Sequence, residues 1–273
     1  MKKILAYIKK NKSPYFRIGL ILTSVMILLV LVSLFWMPYD PTAIGAGGKL
    51  EGASFKHLLG TDKFGRDIFC RVLYGCRVTI LIALGTVTIG TVTGILIGAF
   101  CGYFGGLLDE IVMRIIDALF AFPSVLLALV FVSLLGTGTW QLVLSLGIAF
   151  VPSFSRIVRG EYLRCKQMEY VASAKLQGAS HLRIMFVHIL PNISGVLISS
   201  VMIGFNNAVL AEAGLSFIGI GTQPPFDSLG KILSDARTYI LNQPLYVLGP
   251  GIVLILLVLG FSLVGEGIRA THE

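Results

Sequence analysis

Charge is what this sequence has least of. Asp, Glu, Lys and Arg supply 13% of its 273 residues, against about 25% in a soluble domain. With 55% hydrophobic residues and a mean hydropathy of +0.86, that shortage excludes an ordinary soluble fold. It points to an integral membrane protein. Cysteine is also scarce: Cys70, Cys76, Cys101 and Cys165 form no C-x-x-C pair, so neither a zinc site nor a disulfide framework is indicated. His57, His181, His188 and His272 are scattered and make no ligand cluster. No G-x-x-x-x-G-K-[ST] occurs, since Gly230-Lys231 is followed by Ile232 and lacks the upstream glycine. The usual phosphate-cradling loop is therefore missing. Nothing places Ser, His and Asp as a triad, which leaves hydrolytic chemistry without support. The net charge of +8 comes with no finger, groove-reading helix or arginine-rich motif. That turns it away from nucleic acid and toward cytoplasmic loops and anionic head groups.

What is present is apolar length. A crossing takes about 20 mainly apolar residues. The pattern predicts an all-α membrane protein with six spans, near 17–37, 78–101, 111–135, 139–159, 192–219 and 245–267. The first run exceeds the apolar core of a signal peptide and reads as a retained helix. Gly136-Thr-Gly-Thr139 divides a charge-free stretch, Ala118 to Ser155, that is too long for one crossing. The expected layout is a basic N-terminus 1–16, a first span 17–37 and an outer loop 38–77. A membrane domain 78–269, with a polar loop 161–190, and a short tail 270–273 follow.

Lys2, Lys3, Lys9, Lys10, Lys12 and Arg17 precede the first span, which argues for a cytoplasmic N-terminus. Six spans return the C-terminus to the same side. The loop after the fourth span then faces the cytoplasm with Arg156, Arg159, Arg164, Lys166, Lys175 and Arg183. The outer loop runs against this rule with Lys49, Lys56, Lys63, Arg66, Arg71 and Arg77, mixed with Asp40, Glu51, Asp62 and Asp67.

Within the spans, Gly90, Gly94, Gly98, Gly102 and Gly106 recur every four residues. They make a smooth helix face that admits another backbone, from this subunit or from a second one. Pro123 and Pro152 bend their helices, either to shape a cavity or to adapt packing. Asn206, Asn207 and Glu212 are costly inside a span. They line a translocation path, or they form an internal hydrogen-bonded pair or sit at the outer mouth. Arg114 and Asp117, three apart, read as a structural ion pair.

The polar loop has its own pattern. Glu169–Gln177 has good helix formers, with Tyr170, Val171 and Ala174 on one side. Gly178 stands where a left-handed residue ends a helix. Ser180 can cap a second helix from His181 to Leu190, and Pro191 marks a boundary. Such a helix–turn–helix is preorganised to dock to a partner, or it lies flat on lipid head groups.

These residues resemble the cytoplasmic coupling loop of ABC importer permeases, with pattern E-A-A-x-x-x-G and then I-x-L-P. It falls on Ala172, Ser173, Ala174, Gly178, His188, Leu190 and Pro191. The peptide/nickel branch reads E-Y-V-x-A-A-x-x-x-G-A-S and H-I-L-P-N. Glu169, Tyr170, Val171, Ala174, Gly178, Ala179, Ser180, His188, Ile189, Leu190, Pro191 and Asn192 match it. His188 thus identifies the branch, while Ala172 lacks the family's carboxylate and a polar contact with it. LGTDKFGRDIFCRVLYGCR at 59–77, GYFGGLLDEIVMRIIDALFAFPS at 102–124, LAEAGLSFIGIGTQPP at 210–225 and GFSLVGEGIR at 260–269 are similar to further family segments. The resemblance spans about residues 38–269, to the second ("C") permease of dipeptide, oligopeptide and nickel importers.

It implies the type I importer permease fold and a bacterial or archaeal inner-membrane location. It also implies a homologous second permease, two cytoplasmic ATPases that carry ATP and Mg, and an extracytoplasmic binding protein. This chain would be no enzyme and would bind no cofactor or metal. Its partners would include membrane lipid but no nucleic acid. A secondary ion-coupled transporter is the rival reading. It should show inverted repeats and broken ion-binding spans, and no convincing repeat is seen. A membrane-embedded enzyme would need a catalytic constellation, and none stands out.

Overall fold

The computed structural model describes residues 14–269. The basic residues before Pro14 and the tail 270–273, with His272, lie outside them. The chain is helical throughout: α1 Pro14–Phe35, α2 Ile68–Phe104, α3 Gly106–Phe120, α4 Ser124–Leu135, α5 Thr139–Cys165, α6 Glu169–Leu176, α7 His181–Arg183, a π-helical stretch Ile184–Ile189, α8 Leu190–Asn192, α9 Ser194–Phe217, α10 Leu229–Ala236 and α11 Pro244–Arg269.

Among the described residues five helices (α1, α2, α5, α9 and α11) are long and apolar enough to cross a membrane. The expected third span, 111–135, is not one helix: α3 and α4 meet at 95°. The break sits at Ala121–Pro123, because proline disfavours helical geometry in the residue before it and cannot bond backward. A count of six holds only if this bent pair makes one crossing. The ion pair expected within α3 is also corrected. Asp117 reaches Arg156 of α5 at 3.3 Å instead of Arg114, and Arg156 lies 4.5 Å over the Phe120 ring.

α2 begins ten residues before the expected boundary. Asp67 caps it, its carboxylate accepting from the Cys70 N–H at 2.7 Å. At 37 residues it is about 55 Å long, well beyond the roughly 30 Å hydrocarbon layer. It runs parallel to α5, and the glycine strip is the seam. A Cβ on Gly90 would lie 3.1 Å from Phe150 Cβ, and one on Gly98 2.5 Å from the Ser155 carbonyl. On Gly102 it would lie 2.8 Å from the Arg159 carbonyl, and on Gly94 it would collide with Phe154. The strip therefore packs inside this subunit. The fifth glycine, Gly106, faces open space past the end of α2. Elsewhere α9 packs between α2 and α11, and α1 lies along α11.

The outer loop is a folded cap. Two of its basic residues, Arg66 and Arg71, sit against acids, which accounts for part of its departure from the charge rule. Arg71, fully buried, donates to Asp227 (2.9 Å), Asp62 (2.8 Å), Asp235 (3.1 Å) and the Tyr246 hydroxyl (2.7 Å). Arg66 bonds Asp62 at 2.6 Å, and Lys231 bonds Asp235 at 3.3 Å. Burial raises the Asp235 carboxyl's pKa, but Arg71 and Lys231 outweigh it and hold the group below the ordinary carboxylate range. One knot thus joins the cap, the top of α2, α10 and α11.

Candidate functional site

The helix–turn–helix is built on its own small core. Val171 and Ala174 of α6 are buried together with Ile184, Met185 and Ile189, against Val158 and Tyr162 of α5 and Ala99 and Tyr103 of α2. Gly178 adopts φ +75° and makes the turn. The Ser180 hydroxyl accepts from the Arg183 N–H at 3.4 Å and caps α7. Pro191 lies inside the short α8, so the boundary before α9 falls at Ile193. Three contacts fasten the unit to the long helices. The Tyr162 hydroxyl donates to the Met185 carbonyl at 2.9 Å. Lys166 Nζ donates to the Gly102 carbonyl at the end of α2, at 3.1 Å. The Tyr103 hydroxyl and His181 Nδ1 are 2.9 Å apart.

The other face of the unit is bare. Glu169, Ala172, Ser173 and Gly178 are exposed, Tyr170, Ala179, His188 and Leu190 are half-buried, and Pro191 is exposed. Leu176 and Leu182 stand out at 91% and 57% exposure. Ala172 and Ser173, the positions that depart from the family pattern, both lie on this bare face. Sequence reasoning missed Leu176 and Leu182. It also missed Tyr103, whose only signal was its place in the GYFGG segment.

The three polar residues of α9 are not brought together. Glu212 is fully buried. Its carboxylate accepts from Thr79 of α2 at 3.0 Å and Ser216 at 2.7 Å, with Thr222 at 3.4 Å. It forms an internal hydrogen-bonded group with these hydroxyls. Asn206 is half-buried, and its Oδ1 has no protein partner. Asn207 is exposed and lines a hollow of about 130 Å³ with Ser124 of α4, Ser153 and Phe154 of α5, and Ser200 of α9. Pro152, which leaves the Ile148 carbonyl without its helical donor, is buried next in sequence to Ser153. Among the described residues no group of three His, Cys, Asp or Glu side chains is arranged to hold a metal ion.

Residues 94–272 match the family model of the binding-protein-dependent transport system inner membrane component. The dipeptide transport system permease protein of Alkalihalophilus pseudofirmus is 38% identical, over 96% of this chain and 86% of that protein. The glutathione transport system permease protein of Pectobacterium atrosepticum is 39% identical over 90% and 83%. The nickel transport system permease protein of Escherichia coli is 33% identical over 93% and 91%. A chain of the inward-facing MetNI methionine ABC transporter shares the fold, with a TM-score of 0.62 at 17% identity over 74% of this chain and 96% of that one. A multi-pass helical chain, with a preorganised polar hairpin and relatives matched along nearly its whole length, belongs to the binding-protein-dependent transport system inner membrane component family, as a permease subunit of an ABC importer of the C type.

Proposed function

We propose that the importer takes up small peptides, and that the 165–188 hairpin of this chain couples transport to ATP hydrolysis on separate cytoplasmic subunits. The carrying observation is the hairpin's two-sidedness. Its inner edge is bolted to α2 and α5, while its outer edge presents Leu176 and Leu182 to a partner. A solvated connector needs neither feature, and exposed apolar side chains on a basic, membrane-flanking loop suit a protein groove. The hairpin moves as one body when the ATPases close, and α2, α5 and α9 carry that movement into the membrane.

The partners in this reading are a homologous permease, two ATPases and an extracytoplasmic binding protein. Both termini are cytoplasmic, with the cap of residues 38–67 outside. The hollow at Asn207 is this chain's half of the path. Neutral hydroxyl and amide groups there, on Ser124, Ser153, Ser200 and Asn207, suit the amides of a peptide. A nickel chelate fits the nickel relative, but no ionisable side chain lines this wall.

Tagging the chain and solubilising native membranes gently tests the assembly. A second permease, two P-loop ATPases and a binding protein are expected to co-purify. Uptake of labelled dipeptide against labelled nickel by the reconstituted complex then tests the cargo. Gly178→Arg, which forces an arginine into a left-handed turn, is expected to abolish stimulation of the ATPases. Unchanged transport and assembly in that variant would refute the coupling assignment. A chain that purifies alone and moves solute under an ion gradient would refute the importer mechanism.

A further inference from the structure

A second concavity, on the opposite side of the α2–α5 pair from the glycine seam's cytoplasmic end, is unused by any step above. It is a groove of about 470 Å³ between the upper part of α2 and the start of α5, walled by Leu81, Leu84, Gly85 and Val143 and running down to Thr88. Arg77, Tyr74 and Trp140 stand at its head. The knot above neutralises Arg66 and Arg71, but Arg77 has no carboxylate within 4.0 Å among the described residues. Its contacts are a weak hydrogen bond to the Ser33 carbonyl at 3.5 Å and the Tyr74 ring at 5.3 Å. A guanidinium at the edge of hydrocarbon reaches head-group level, where lipid phosphates are the anions at hand.

Depth follows from helix rise. Twenty residues, about 30 Å, carry α2 from Arg77 to Ile97 and α5 from Trp140 to Gly160. That length matches the hydrocarbon thickness. Gly85 packs against Val143, so Trp140 lies about 5–8 Å deeper than Arg77 along the pair. Arg77 and Tyr74 stand at the membrane–water boundary with Trp140 just beneath them, where aromatic side chains settle near head-group level. From Arg77 to Thr88 is about 16 Å of helix, close to the half-thickness of about 15 Å that one leaflet's acyl chain fills.

We propose that this groove binds one glycerophospholipid. Its phosphate sits on Arg77 beside Trp140, and one acyl chain lies along Leu84 and Val143 to Thr88. The cation at the head, the aromatic pair and the one-leaflet length select this occupant over a helix of another subunit. Such a helix would have to bring its own anion to Arg77. The bound lipid fills the space beside the α2–α5 seam and braces it from the membrane side. The inference depends on the membrane placement of α2 and α5 alone and stands whatever the importer carries.

The test uses the assembled complex from native membranes, washed in mild detergent, re-lipidated with phosphatidylglycerol and examined by native mass spectrometry. One phosphatidylglycerol per copy of this chain is expected to survive washing that strips annular lipid. Arg77→Gln removes a charge-assisted hydrogen bond and should lower retention by about tenfold or more. Leu84→Trp should lower it as far by filling the groove while leaving the guanidinium in place. Should either variant fail to assemble, quenching of Trp140 by dibrominated phosphatidylglycerol, taken against a Trp140→Phe complex, reads the same site in the unblocked groove. Equal lipid retention in all three complexes, or no Trp140-dependent quenching, would overturn the proposal. So would a disulfide between Leu84→Cys and a cysteine of another subunit, which would make the groove a subunit interface.

Discussion

Replacing Arg71 by methionine isolates the energetics of the outer knot. The side chain is fully buried, and three carboxylates and one phenol converge on it. In the native cluster Arg66, Arg71 and Lys231 face Asp62, Asp227 and Asp235. Without Arg71 three carboxylates crowd around two cations, and the best-buried of them, Asp62, keeps only Arg66. Breaking a buried pair from one side costs about 3–5 kcal/mol, a large share of the about 5–15 kcal/mol that separates folded from unfolded chains. For a chain of this size that is a drop of about 6–20 °C in melting temperature. Cys70 and Cys76 lie near Arg71 on α2 and are buried as free thiols, as are Cys101 and Cys165, so in a Cys101→Ser, Cys165→Ser background a thiol-reactive dye that fluoresces on labelling reports the opening of this region. Arg66→Met is the control: Arg66 is partly solvated, and its loss should cost about 1 kcal/mol. If Arg71→Met melts and labels like the parent, or no differently from Arg66→Met, the knot does not hold the cap and the reasoning fails.

Three further outcomes are expected. Gly98→Leu puts a side chain where a Cβ already lies 2.5 Å from a backbone oxygen; α2 and α5 must separate, costing about 1–3 kcal/mol, and dipeptide uptake should fall while the chain still inserts, read by uptake per membrane-embedded chain. Glu212→Ala strands the hydroxyls of Thr79 and Ser216, at about 1–3 kcal/mol, whereas Glu212→Gln keeps the acceptor and should melt closer to the parent in the same thiol assay. Because the Asp235 pKa is lowered on folding, its contribution is fully present above the ordinary value of 3.8 and is lost as pH falls through the lower folded value. Lowering pH from 7 to 5 should therefore leave cap stability unchanged through this group, with the melting temperature followed by circular dichroism falling through it only below about pH 4.

The spans were legible because hydropathy averaged over 20 residues is a coarse signal that survives errors at the ends. The bend at Pro123 was legible in position but not in size. Asp109, Glu110, Arg114 and Asp117 belong to an amphipathic α3, yet the apolar residues between them read as the start of a span. The hairpin's turn and cap were readable because Gly178 and Ser180 act on their nearest neighbours. The knots were not. Arg71 and Asp227 are 156 residues apart, and Thr79 and Glu212 are 133 apart. No periodicity links such pairs. For Asn206, Asn207 and Glu212 the sequence left path-lining and internal roles open, and the Thr79 hydroxyl that meets Glu212 lies too far off in sequence to have been read from it.

The seam between α2 and α5 has a mechanical consequence. Two parallel helices in backbone contact bend far less than either alone; the pair runs from the hairpin to the start of α5 at Thr139, and α2 continues alone from there to the Arg71 knot. A stiff member about 55 Å long converts angle into distance. A tilt of about 5° at the hairpin displaces its far end by about 5 Å, roughly one helical turn. The glycines set how faithfully that displacement is delivered, since any side chain wedged between the two helices would let them shear. With the hairpin as the coupling element proposed above, stroke length would be set by residues that touch no ligand.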